Sequence, residues 1–460
     1  MRRSAFACSL LCLGLLAGCA NLAPDYSRPE LPIPTTVDGT AVAAVAAKKF
    51  VQPSWQRLVT DERLRKVIEL ALDNNRDLRI AALNIEKARA QYRIEDAARY
   101  PSVDASVGGT STRYDGAITR KYSVGLGISS YELDFFGRLT NLKDSALQSF
   151  LATEATQRSV RTSLVAEVAN AWLTLATDQD LLRLSQETWD SRKKTLELTR
   201  RQQALGGASG LVVAQAQASA ETARGDVGNY TSQVVQDRNA LTLLAGTSIS
   251  GDLLPTASDS IGTSVAALID VPDGMSSEVL LQRPDIVSAE HTLIGSYADI
   301  GAARAAFFPS ITLTASGGTA SPSLSGLFDS VSRAWSFIPT LTLPIFNAGS
   351  LSASLKIAKV GRDIQVATYE KTVQTAFKEV ADALAVRATL NERTSAQQGE
   401  VDAYATSLRL STERYRSGAD SYLSVLDAQR SLYSAQKSLI SLQLAEQSNR
   451  ITLFKVLGGE

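Results

Sequence analysis

Few residues of this chain are equipped for chemistry, and where they stand is as informative as what they are. The three cysteines, Cys8, Cys12 and Cys19, all fall within the first twenty residues. An apolar run from Ala5 to Leu16 follows Arg2 and Arg3 and leads into Ala17-Gly18-Cys19. That run is too short to hold a bilayer as a stable anchor. It has the form of a bacterial lipoprotein signal, with cleavage before Cys19 and acylation of the thiol and the new amino terminus. A plain secretory peptide with an incidental cysteine is the other reading; the small pair directly before Cys19 favours lipidation. Residue 20 is Ala rather than Asp, as in lipoproteins sorted to the outer membrane. The mature chain would then hold no second thiol and no disulfide.

The other chemical groups are sparse. One histidine, His291, and two methionines, Met1 and Met275, argue against a dedicated metal site. Gly246-Thr247-Ser248-Ile249-Ser250 misses the last glycine of a nucleophile elbow. Gly125 and Gly127 lack the third glycine of a phosphate loop. No catalytic set is in view, and no cofactor is implied beyond a covalent lipid on Cys19. Equal totals of 47 basic and 47 acidic residues leave no nucleic-acid footprint.

The elements that carry these residues are mostly helical. From Arg138 to Leu205 there is neither Gly nor Pro, and Val160, Leu164, Val168, Trp172 and Leu175 fall at helical spacing. Val373, Ala376, Phe377, Val380, Ala383 and Leu384 do the same later. Each arm would run ~100 Å at 1.5 Å per residue. The arms break at Gly206-Gly207 and at Ser417-Gly418, where a left-handed residue ends a helix. Asp420 is placed to cap the helix that follows the second break.

Short alternating stretches separate the helices. Tyr122, Val124, Leu126 and Ile128 alternate with Ser123, Gly125, Gly127 and Ser129, and Asp115-Gly116 supplies a hairpin turn before them. Ile311, Leu313 and Ala315, then Leu341, Leu343 and Ile345, repeat the pattern. The order recurs as well. Tyr100-Pro101-Ser102 returns as Phe308-Pro309-Ser310 at an offset of 208, Leu133 as Leu343 at 210, and Gly206 as Gly418 at 212, so the chain is internally duplicated. Residues 1–18 form the signal peptide and 19–54 an extended tether. The first repeat is 55–247, with strands at about 102–114 and 120–133 and helices at 138–205 and 208–245. A linker spans 248–275. The second repeat is 276–460, with strands at about 309–319 and 333–346 and helices at 349–417 and 420–457.

Strands apolar on one face and small and polar on the other suit a barrel wall between lipid and water. Four strands cannot close a barrel, and open edges in hydrocarbon cost several kcal/mol per unpaired group. The chain must therefore associate with copies of itself. Two copies would give eight strands and a filled interior; three would give twelve and an open lumen. A strand-free coiled-coil stalk leaves the alternating segments unexplained, and a passive porin would not be mostly helix.

Five stretches resemble the TolC/OprM outer membrane factor family: Leu133 to Arg138, Leu281 to Ile286, Ile300 to Ser310, Phe377 to Leu384 and Leu426 to Arg430. The likeness is to the NodT-type lipoprotein branch, which includes the CusC copper/silver duct and multidrug ducts, and it covers essentially the whole chain. It implies an α+β membrane protein, a homotrimer whose twelve-stranded transmembrane β-barrel, four strands per chain, is continued by a periplasmic α-helical barrel. It implies as partners a periplasmic adaptor (membrane fusion protein), an inner-membrane pump of the resistance-nodulation-division (RND) type and outer membrane lipids. The implied role is the exit duct of a tripartite efflux system; a dedicated copper/silver export duct or a protein-secretion duct stays open. The resemblance also places the periplasmic gate at Leu423 and Asp427, with Arg414 and Arg430 as polar locks between neighbouring hairpins. It places the adaptor-docking tips at Gly206, Gly418 and Asp420. Leu423 and Asp427 are four apart and share one helix face. Gln215 stands in the first repeat where Asp427 stands in the second, so the charge belongs to the second hairpin.

Overall fold

The computed structural model describes residues 21–36, 54–257, 265 and 275–459. The signal peptide and Cys19 lie outside the described residues. Two compact units organise the chain, and they do not follow the two sequence repeats. Each unit takes segments from both.

The first unit comprises Met1–Leu31, Leu83–Thr156 and Asp285–Thr372. Its centre is one antiparallel sheet of β1 (Asp104–Tyr114), β2 (Ala117–Leu133), β3 (Ser310–Ser321) and β4 (Arg333–Thr342), in the order β1-β2-β3-β4. Asp115 and Gly116 both have positive φ, at 46° and 82°, and close the two-residue turn between β1 and β2. The register makes the alternation continuous across strands. Val107 faces Val124, Leu126 faces Gly317, Ile128 faces Ala315, and Ala315 faces Phe337. Tyr131 and Leu133 have the opposite parity to Ile128, yet they pair with Leu313 and Ile311 on the same face. A bulge between Ile128 and Tyr131, with Ser130 at φ 54°, makes the switch. The other face is small and polar, with Ser106, Ser123, Gly125, Gly127, Thr314, Ser316, Gly318 and Ser336; Ile338 is its exception. Gly125 pairs with Gly318, and a Cβ on Gly318 would meet Val124 O at 2.2 Å.

β4 stops at Thr342, short of the expected 346, because Pro344 has no N–H for a ladder. Leu343 and Ile345 therefore lie beyond the sheet, both exposed. Below the sheet, Arg138 grips Glu132 through two hydrogen bonds of 2.8 and 2.6 Å, Asp134 accepts from the Thr140 N–H at 2.8 Å, and Phe136 stacks on Phe308 at 4.7 Å. The described start of the tether is docked. Asn141 donates to Asn21 Oδ1 at 2.9 Å, Arg304 to Leu22 O at 2.9 Å, and Tyr26 and Arg28 both donate to Glu290 at 2.9 and 2.8 Å.

The second unit comprises Pro32–Ala82, Gln157–Pro284 and Val373–Glu460. The helices, in chain order, are α1 (Trp55–Leu58), α2 (Glu62–Asn74), α3 (Arg76–Ala97), α4 (Arg138–Ala204), α5 (Gly210–Ala245), α6 (Pro284–Ala305), α7 (Ser350–Arg416) and α8 (Tyr422–Val456). α4 and α7 have 67 residues each. The unit's core gathers Trp55, Leu64, Val67 and Ile68 with Trp172, Leu173, Leu175, Leu241 and Phe454. Trp172 is fully buried and donates to Leu253 O at 3.2 Å. Among the described residues no helix is long and apolar enough to cross a membrane.

Candidate functional site

Both helical breaks end on the same backbone device. At the first, the Gly207 N–H bonds Gln202 O at 2.8 Å and the Gly206 N–H bonds Gln203 O at 2.9 Å. At the second, Ala419 bonds Arg414 O at 2.9 Å and Gly418 bonds Tyr415 O at 3.0 Å. Paired bonds of this kind form a Schellman motif, which needs a left-handed residue just past the helix. Gly206 has φ 80° and Gly418 φ 76°. A Cβ on either would meet nothing within 4 Å, so conformation rather than space selects glycine. Gly418→Ala should cost about 1–2 kcal/mol in chemical denaturation, and a silent substitution would show that the left-handed turn is not required.

The hairpins pack on each other just beyond these breaks. Leu196, Ala216 and Ala220 from the first meet Tyr422 and Val425 from the second, with Val212, Val213, Leu408, Tyr415 and Leu426 around them. Tyr415 and Tyr422 lie 5.3 Å apart, centre to centre. On α8 the buried positions Tyr422, Val425 and Ala428 recur every third residue and leave Leu423, Asp427 and Arg430 on the exposed side. Leu423 is 52% exposed, an apolar side chain that its own chain does not cover.

The charges of the second tip pair locally. Arg430 Nη2 lies 2.7 Å from Asp427 Oδ1, three residues back on the same helix. Arg414 Nε lies 3.3 Å from Asp420 Oδ2, across the break. Asp420 is not the helix cap: Ser421 holds that position, and its side chain makes no capping bond. Asp420 instead accepts from the Ser421 N–H at 2.8 Å and the Ser424 hydroxyl at 3.0 Å. Those two bonds, then Arg414, hold its carboxyl below the usual range. The depressed acid stabilises the turn above its ordinary value near 3.8 and loses that contribution as the pH falls. At an offset of 212 the first tip has Gln202, Ala208, Leu211, Gln215 and Ala218 where the second has Arg414, Asp420, Leu423, Asp427 and Arg430. At these five positions one tip carries charges and the other does not, on the same backbone.

A family model described as outer membrane efflux protein matches residues 67–247 and 275–459. This chain belongs to the outer membrane efflux protein family. Among its relatives is the probable efflux pump outer membrane protein TtgC of Pseudomonas putida, 45% identical over 97% of this chain and 93% of TtgC. The cation efflux system protein CusC of Escherichia coli O157:H7 is 42% identical over 98% of both chains. A solved CusC structure, described in terms of folding and transmembrane channel formation, superposes with a TM-score of 0.88 at 40% identity, covering 96% of this chain and all of that one. This outer membrane efflux protein is thus an outer membrane channel with the duplicated helix-and-strand fold of its relatives.

Proposed function

We propose that three copies of this chain close a twelve-stranded barrel and form the exit duct of a tripartite efflux pump. The observation that carries this is the sheet. Among the described residues β1 and β4 each pair on one side only, and the apolar face carries exposed Val107, Leu126, Trp335 and Phe337. Unpaired strand edges do not persist in hydrocarbon, so β1 of one copy pairs with β4 of the next. The exposed apolar residues of α7, Ile357, Val360 and Ile364, offer further surface to a neighbouring copy. Cys19 carries the lipid. The docked tether, held at Asn21 and Leu22 beside α4 and α6, fixes where that lipid starts. An inner-membrane RND pump and a periplasmic adaptor supply the cargo, the adaptor meeting the tips at Gly206, Gly418 and Asp420. Leu423 and Asp427 gate the duct, with Arg414 and Arg430 exchanging their local partners for neighbouring hairpins in the closed trimer.

The test uses the scarcity of thiols. With cysteines only at 8, 12 and 19, a chain given one cysteine on β1 and one on β4 has no competing free thiol after lipidation. Across a panel of registers, at least one pair should oxidise to a covalent trimer on non-reducing gels. Only monomers or dimers across the whole panel would refute the closure.

A further inference from the structure

A line of polar groups runs through the first hairpin, apart from the gate. On α4, Asp178, Ser185, Arg192 and Thr199 recur every seven residues, a spacing that keeps one helix face. Ser185, Arg192 and Thr199 are buried. On α8 the Tyr433 hydroxyl lies 2.9 Å from Ser185 Oγ and donates to Asp226 Oδ2, on α5, at 3.0 Å. At the end of the line the carboxyls of Asp178 and Asp237 hydrogen-bond each other. Two ionised carboxylates hold no donor between them. Asp237 Oδ2 is buried, and among the described residues no N–H or O–H reaches it. A proton on the facing carboxyl supplies the missing donor.

We propose that Asp178 and Asp237 share one proton that fastens α4 to α5, and that losing it loosens the first hairpin alone. The second repeat supports a special role for the pair. At an offset of 212 it has Leu390 and Asn449, where Leu390 is buried and Asn449 donates to Ala383 O at 3.0 Å. The fold closes that position without a titratable group.

α5 packs against α2 and α8. Tyr230, on α5, interacts with Asp178 and with Asp226; the Tyr433 hydroxyl of α8 donates to Asp226, and Lys437 lies over the Tyr433 ring at 4.6 Å. α4 adds Asp180 and Arg183, paired at 3.4 Å, and α2 adds Arg63, which lies over the Trp172 ring at 5.6 Å. Burial, then the hydrogen bond and charge of Asp237, pushes the Asp178 carboxyl up to about 7. The folded chain keeps this proton where the unfolded chain releases it. The contribution to stability is whole below about 3.8, declines as pH rises, and is gone above about 7.

The test uses the full chain in detergent, with infrared spectra taken about one pH unit either side of that midpoint, where the protonated fraction is roughly nine-tenths and one-tenth. The wild type should show a protonated carboxyl stretch on the acid side that vanishes on the alkaline side, and Asp178→Asn and Asp237→Asn should lack it throughout. Asp178→Leu with Asp237→Asn copies the second repeat, and its thermal midpoint should stay level where the wild type's falls. No acid band in the wild type, or a band kept by both single variants, overturns the proposal. So does a copied-repeat variant whose midpoint falls as steeply as the wild type's.

Discussion

Asp427→Ala combined with Arg430→Ala should raise the single-channel conductance of the protein in planar bilayers. The pair is a surface one, with side chains 53% and 79% exposed, and such pairs are worth about 0–1 kcal/mol each. Small local worth is what a lock needs, because each partner can leave for a neighbouring hairpin at little cost. Closed, three Asp427 carboxylates about 6 Å apart would repel by about 1–3 kcal/mol per pair at intermediate dielectric, and arginines are needed to hold them. Removing both charges leaves the Leu423 ring and Arg414. If each copy contributes about 0.5–1 kcal/mol to closure, three shift the open population roughly tenfold to a hundredfold. Gln215→Ala, at the matching uncharged position of the first tip, is the control and should leave conductance unchanged. Unchanged conductance in the double variant would move the gate elsewhere.

Much of this geometry is legible in the residues, and what is not has physical causes. The glycine breaks show because no other residue takes the left-handed turn cheaply, and their matched offset marks them as one device used twice. The lipid-facing alternation shows because its period is local. The bulge after Ile128 is visible only in hindsight of parity: Tyr122, Val124, Leu126 and Ile128 are even-numbered, Tyr131 and Leu133 odd, and both sets share a face. Partners at the tip are not legible. Asp420 precedes a serine that takes the cap position, and its bonds to the Ser421 N–H, the Ser424 hydroxyl and Arg414 depend on how the turn is wound. The line through Asp178 and the buried Ser185 and Arg192 escapes a search for apolar periodicity because polar residues at core positions look like a solvated face. Their spacing of seven is the signal that finds them. Their partner Tyr433 comes from a helix of the other repeat, which no local pattern specifies.

A charge placed on the wrong face of the sheet separates a membrane wall from an ordinary sheet. Leu126 sits on β2, an inner strand, between Ala105 and Gly317, and is 59% exposed. Ser123 is three residues away on the polar face, paired with Gly108 and Ala320. In water, lysine at either position would cost little, since both look outward from the sheet. If the apolar face meets lipid, Leu126→Lys costs about 2–4 kcal/mol per chain near the bilayer midplane, whereas Ser123→Lys projects into a wet lumen. With three chains per barrel the penalty on assembly is multiplied, so Leu126→Lys should fail to accumulate as trimer in the outer membrane fraction. Ser123→Lys should accumulate normally and alter only the conductance. Equal accumulation of both variants would mean that this face does not meet hydrocarbon, and the reverse order would mean that the faces are exchanged. The comparison is sharp because the strand, its hydrogen bonds and its register are common to both positions; what differs is the medium each side chain enters.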